Sequence, residues 1–236
     1  MAALEIFGLE GIGEIGRGDD IASMILAAGD LQNGDVVVVT QKIVSKAEGA
    51  MAEVDADDPL SHKPIVEEQS KRILRRRGDL IISETEHGFV CANAGVDLSN
   101  VQSGQAALLP VDPDRSARRI RDGILGKGQI SVAVIISDTF GRPWRRGVTD
   151  VAIGSAGIRV IQDLRGTNDT FGRELQVTEV AVVDEMAAAA DLVMGKSAGV
   201  PVAVIRGADP SIFLADGETS AVVEDLVRQP SEDLFR

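Results

Sequence analysis

The chain has 236 residues, with 24 Lys and Arg against 37 Asp and Glu, a formal charge of −13. Charge of this sign argues against a general binder of nucleic acid or membrane surfaces, whose phosphates would repel it. One cysteine, Cys91, excludes an internal disulfide and a cysteine zinc cluster, and a 3% aromatic content without Tyr leaves little to stack on single-stranded bases.

A chain of this length buries about 70% of the surface it exposes when unfolded, so neither a disulfide nor a structural metal is needed for folding. The start, Met1 to Phe7, is neither basic nor long enough in apolar residues for a secretory signal. No apolar run reaches the ~20 residues of a membrane span. A cytoplasmic protein is expected.

In chain order, Gly11-Ile12-Gly13-Glu14 is a weak phosphate-loop pattern that lacks the third glycine of a dinucleotide fingerprint. Asp19-Asp20 predicts a capped helix through Leu26 and Ala28, ended at Gly29. Val36 to Val39 predicts a buried strand. Thr40 to Gly49 follows it, and Lys42 and Lys46 share a face if this segment is helical. Two lysines there could neutralise a triphosphate, although a solvated helix face has the same pattern. His62 and His87 read as exposed loop residues, and Glu67 to Arg76 as an exposed charged helix. Ala94 to Asn100 is a small polar loop holding Asp97. Val111-Asp112-Pro113-Asp114 reads as a turn rather than a domain junction, and Asp114 to Leu125 as a helix stopping near Gly126.

Ile130 to Ile136 predicts a second buried strand, followed by Ser137-Asp138-Thr139-Phe140-Gly141-Arg142. A carboxylate just past a buried strand is well placed for a ligand or metal, and Asp and Thr oxygens suit Mg²⁺ or Mn²⁺. A strand-end turn also favours Asp. Arg142, Arg145 and Arg146 around Trp144 suggest an anionic small molecule nearby. Asp184 to Met194 predicts a helix capped by Gly195. Gly195-Lys196-Ser197 is not a P-loop, because position 190 is Ala190 and a helix precedes it. Val200 to Ile205 predicts a third strand, and Asp216 to Arg236 a terminal helix or a loose end. Strands interleaved with helices suggest a mixed α/β protein.

Six segments occur in fixed order: Gly18-Asp19-Asp20, Val44 to Gly49, Ala94 to Asn100, Asp138 to Arg142, Val183-Asp184-Glu185 and Asp191 to Gly195. From about Leu4 to Asp209 the chain resembles the coenzyme F420-0:gamma-glutamyl ligase family. The resemblance implies a mixed α/β (α+β) fold of two intertwined lobes in one domain over residues 1–236, with no C-terminal nitroreductase-like domain. It implies a homodimer, and a GTP-dependent ligase that adds L-glutamate to the lactyl carboxylate of F420-0 and extends a gamma-linked tail. Two divalent cations, Mg²⁺ or Mn²⁺, and K⁺ are implied as well.

By motif, the resemblance places Asp97 and Asp138 at a first metal and Thr139 at a second. Glu10, Gly11, Ile12 and Gly13 match a nucleotide loop in which Gly13 stands where proline is usual. Gln41, Lys42, Lys46 and Asn100 match further nucleotide contacts. So do Met194, Gly195, Lys196, Ser197, Ala198, Gly199, Val200 and Pro201. Lys196 stands where some members carry an acidic or amide residue at the second metal, and a protonated lysine is no ligand. Two other classes fit the same residues: a metal-dependent phosphotransferase or phosphatase, and a non-catalytic nucleotide-binding module.

Overall fold

The computed structural model describes residues 3–215, 217–229 and 231–233. The elements are β1 (Glu5–Gly8), α1 (Ile21–Ala28), β2 (Val36–Thr40), α2 (Gln41–Glu48), β3 (Met51–Glu53), α3 (Lys63–Glu68), β4 (Ser70–Arg77), β5 (Leu80–Thr85) and β6 (Val90–Ala92). There follow β7 (Gln105–Ala107), α4 (Pro113–Gly128), β8 (Ala133–Gly141), β9 (Val148–Ala156), β10 (Gln162–Asp163), β11 (Glu179–Val180), α5 (Val182–Met194) and β12 (Val202–Arg206).

The three predicted strands lie side by side in a five-stranded sheet of order β1-β12-β2-β8-β9, in which only β2 and β8 run parallel. Val36 to Val39, Ala133 to Ile136 and Val202 to Ile205 are fully buried. Continuous apolar runs, rather than alternation, are what strands covered on both faces require. Helices α4 and α5 pack against this sheet, and α1 packs on α4. Between α2 and α4 the chain leaves the main core and builds a second one from Val66, Ile81, Ala94, Val96 and Ala106. Two antiparallel sheets, β4-β5-β6 and β3-β7, surround it. The fold is therefore α+β with two cores. Among the described residues, no helix is long and apolar enough to cross a membrane.

Several boundaries move for physical reasons. Glu67 to Arg76 is not a helix: α3 ends at Glu68, and Ser70–Arg77 is a strand paired with β5. Two register shifts, at Ser70/Arg72 and Ile73/Arg75, break the alternation that would have marked a strand. β8 runs past Ile136 to Gly141 because β9 keeps pairing with it through Asp138, Thr139 and Phe140. Asp138 thus sits inside a strand, not in a terminal turn. Helix α4 is capped by Asp112, whose Oδ1 accepts from Arg115 N at 2.8 Å. Asp114 turns inward instead: its Oδ1 accepts from Ser155 N at 2.8 Å and Val222 N at 3.0 Å. That carboxylate fastens the C-terminal segment, where Val222–Leu226 form a wide helical turn. Asp216 and Arg236, the two ends of the predicted tail, lie outside the described residues.

Neither histidine is an exposed loop residue. His62 is buried ahead of α3. His87 stacks on Phe89 with centroids 5.5 Å apart, its Nε2 facing the Pro110 and Val111 carbonyls.

Candidate active site

A cavity of about 750 Å³ opens at the C-terminal ends of β2 and β8, where ligands bind in open α/β sheets. The backbone passes from β2 straight into α2 at Thr40 and Gln41, so the first turn of α2 faces the cavity. Lys42 and Lys46, one helical turn apart, both line it, and each side chain is only 14% exposed. Lys42 Nζ lies 2.7 Å from Asp97 Oδ2, and Lys46 Nζ donates to Glu14 Oε1 at 2.5 Å. Gln41 is buried; its Nε2 donates to the Leu108 carbonyl at 2.7 Å and to Ser45 Oγ at 2.8 Å. The carbonyl fixes the amide's orientation and leaves Oε1 without a hydrogen-bond partner.

The loop at Ala94 to Asn100 forms the turn that its Asp predicts. Asp97 Oδ1 accepts from Ser99 N at 2.7 Å while Oδ2 meets Lys42. Burial pushes the Asp97 carboxyl up, but the Lys42 ammonium and Ser99 N–H outweigh it and hold the group below the usual carboxylate range. Asp138 differs. Burial raises it to about 7, opposed by the Thr139 N–H and Lys42 and helped by the Asp97 and Asp150 charges. Two carboxylates are thus brought within electrostatic range of each other and of one ammonium.

Strand period places Ser137 and Thr139 on the opposite side of β8 from Asp138. Their hydroxyls donate to Asp150 of β9, at 2.9 Å and 2.6 Å. Asp150 is buried and also lines the cavity. Across from it, Asp191 of α5 is raised by burial and by the Asp150 charge, against the pull of Lys196. Lys196 Nζ donates to Thr139 Oγ1, and Asn100 Nδ2 donates to the Lys196 carbonyl at 3.2 Å.

Of the residues singled out above, Ile12, Gly13, Gln41, Lys42, Lys46, Asn100, Asp138, Thr139, Met194, Gly195, Lys196, Ser197, Gly199, Val200 and Pro201 line this one cavity. Asp97 joins it through Lys42, whereas Glu10, Gly11 and Ala198 lie outside the lining. Arg142, Arg145 and Arg146 are exposed in the turn between β8 and β9, with Trp144 82% exposed, and none of the four lines the cavity. Asp150, Asp191 and Glu14 also line it; Asp191 and Glu14 fall in segments quoted above without a role of their own, and Asp150 escapes sequence reasoning. Asp150 lies in the alternating run of β9, where nothing separates it from an ordinary strand polar residue; Glu14 is next to the matched loop. The described lining contains no histidine or cysteine. Cys91 is buried, and burial, with the Asp138 charge, pushes its thiol up to about 12. Among the described residues, no three or more His, Cys, Asp and Glu side chains form a metal cage.

The cavity gathers ammonium groups against carboxylates at strand ends, and comparison with known sequences gives the family. The profile described as F420-0:Gamma-glutamyl ligase matches residues 11–207. The chain belongs to this family. It is 44% identical to the "Coenzyme F420:L-glutamate ligase" of Methanothermobacter thermautotrophicus, across 99% of both chains. It is 42% identical to the protein of that name from Methanopyrus kandleri, across 93% of this chain and 92% of the relative. For the Methanocaldococcus jannaschii protein of that name the identity is 39%, across 99% and 97%.

Proposed function

We propose that the chain is a GTP-dependent ligase that joins L-glutamate to the lactyl carboxylate of coenzyme F420-0 and extends a gamma-linked tail through an acyl phosphate. The observation that carries this reading is the convergence of Lys42, Lys46 and Lys196 on one cavity beside Asp138 in a chain of net charge −13. A carboxylate is a poor acyl donor, because its leaving group would be an oxide. Moving the γ-phosphoryl of GTP onto it releases GDP and makes phosphate the leaving group. The glutamate amine then attacks the acyl carbon, forming the amide and shedding a proton. The protein must hold two anions together, so positioning and charge screening are its main work.

Lys42 and Lys46 project from the first two turns of α2 and supply fixed positive charge where phosphates would lie. The unpartnered Gln41 Oε1 offers an acceptor to a substrate N–H or O–H. Asp97 and Asp138, which act on each other electrostatically, would hold one hard divalent cation through carboxylate oxygens. With no protein cage among the described residues, the remaining coordination would come from phosphate oxygens and water, as is usual for Mg²⁺. When bound, that cation supplies charge neutralisation on the transferring phosphoryl group. No side-chain nucleophile is required by this route.

The test is mass spectrometry of the deazaflavin after incubation with GTP, glutamate and Mn²⁺. Product heavier by successive glutamyl residues, with GDP and phosphate released, is expected. Phosphate release without glutamate incorporation would identify a phosphatase, and GTP binding without turnover a binding module; either refutes the ligase. A homodimer is part of the same reading, and a monomer by light scattering at micromolar concentration would refute that part.

A further inference from the structure

The two halves of the cavity meet negative charge differently. On the Asp97 and Asp138 side, two carboxylates share one ammonium: Lys42 Nζ lies 2.7 Å from Asp97 Oδ2 and also acts on Asp138. On the Asp150 and Asp191 side, the hydrogen bonds already close on a cation. The Thr139 hydroxyl has one proton, and it gives this to Asp150 Oδ1 at 2.6 Å. A lone pair of the same oxygen accepts from Lys196 Nζ. A divalent cation bound to Thr139 Oγ1 would compete with the ammonium for the outward side of that oxygen, two positive charges at one atom. The lysine is built into place. Its carbonyl is held by Asn100 Nδ2 from the Asp97 loop, and it lies between Gly195 and Gly199, which take φ of +59° and +68°. Both positive φ values are cheap only for glycine, and the segment they shape after α5 lines the cavity. Asp150 in turn is buried and fixed by Ser137 Oγ at 2.9 Å.

We propose that the Lys196 ammonium, seated on the Thr139–Asp150 pair, is the resident cation of this half of the phosphate site, so that the chain works with one divalent cation rather than two. The proposal rests on the nucleotide-ligase reading above. Chemically, an ammonium can donate to phosphate oxygens as a point charge. Unlike a metal, it cannot be removed by a chelator.

Manganese binding tests this, with nucleotide binding followed separately. The wild-type chain, saturated with a non-hydrolysable GTP analogue, is titrated with Mn²⁺ and read by electron paramagnetic resonance. One Mn²⁺ per chain with a mononuclear six-line spectrum is expected. Lys196→Glu replaces the ammonium with a carboxylate and should admit a second Mn²⁺, with the exchange broadening of ions about 3.5–4 Å apart. Lys196→Met should keep a single Mn²⁺ and weaken analogue binding roughly tenfold. Lys196 is exposed, and thermal melts show whether each variant folds; Lys196→Gln, which also removes the charge and supplies an oxygen, stands in for the Glu variant if that one does not. Two Mn²⁺ in the wild type overturn the proposal and leave the ligase reading standing. So does a folded Glu variant that still holds one. Failure of the wild type to bind the analogue at all, measured with a fluorescent nucleotide, overturns the ligase reading and this proposal with it.

Discussion

Removing Lys42 tests the electrostatic logic of the site directly. Its ammonium lies 2.7 Å from Asp97 Oδ2, with side chains 14% and 35% exposed, and it also lowers Asp138. At an effective dielectric of about 20, the gross attraction at that distance is ~6 kcal/mol. Desolvation and the partial exposure of Asp97 cut the net effect to about 1–3 kcal/mol. Lys42→Ala leaves two carboxylates facing an anionic ligand, so affinity for a GTP analogue without divalent cation should fall about 10–100-fold. A divalent cation should recover much of that loss, because it can stand where the ammonium stood. The same change should lower stability in chelator at neutral pH. The sign follows from Asp97: a carboxyl held below its ordinary 3.8 by net attraction contributes stability above that value, lost as pH falls through the folded value. The stability deficit of Lys42→Ala should therefore shrink toward pH 3. Calorimetric titration and thermal melts at pH 7 and pH 3 measure both. An affinity within twofold of wild type, or an equal loss with and without cation, would falsify the reasoning.

Three further outcomes concern the frame that holds the site. A Cβ at Gly154 would lie 2.4 Å from the Pro113 carbonyl group, which is backbone, so Gly154→Ala should cost about 1–3 kcal/mol and several degrees of Tm, whereas Gly13→Ala, in open space, should leave Tm unchanged. Asp114→Ala strips an acceptor from Ser155 N, Val222 N and Val223 N; each unsatisfied N–H costs about 1–3 kcal/mol, and limited proteolysis should cut within residues 217–229 before the rest of the chain. Cys91, buried and raised from 9.0 to about 12, should resist a thiol reagent at pH 8 until the chain is denatured. Because its folded value is the higher one, its contribution is whole below pH 9 and is lost as pH climbs toward 12; a folded chain that labels fully at pH 8 would refute this placement.

The main sheet is legible because its strands are fully buried. Val36 to Val39 and Ala133 to Ile136 admit no polar residue, and such short runs between turn residues have little else to be. The helices of α1, α4 and α5 are legible from caps and propensity, and the six ordered segments carry the α+β class. The region around the second core is not legible. Its β4 strand, Ser70-Lys71-Arg72-Ile73-Leu74-Arg75-Arg76-Arg77, is stabilised by pairing with β5 and by Arg72–Glu84 and Arg76–Glu67 ion pairs at 3.2 and 2.7 Å. Those are tertiary facts that override a helix-like charge pattern. His62 and His87 mislead for a related reason: a lone polar residue says nothing about whether a neighbour covers it.

Within the site, legibility follows the kind of local backbone. Asp97 stands in an Asx turn and Lys42 in the first turn of a helix after a buried strand, and both settings leave a trace in sequence. Asp150 leaves none. It is one polar residue on a strand, and its meaning comes from register: Thr139 pairs with Asp150 across β8 and β9, and the shift between Ile136 and Ser137 brings both hydroxyls of that face onto one carboxylate. Without the shift, period two along β8 would still alternate Ser137, Asp138 and Thr139, but their registry with β9 would change. Alternation along β8 therefore sorts one strand segment onto two faces, and the register with β9 sets Asp150 against one of them. Asp138 lies on the face where Lys42 and Asp97 act on it, and the two hydroxyls face Asp150, where Lys196 donates to Thr139 Oγ1. A sequence motif that reads Ser-Asp-Thr as one unit contains residues of both faces, which the strand period separates and the register with β9 supplies with Asp150.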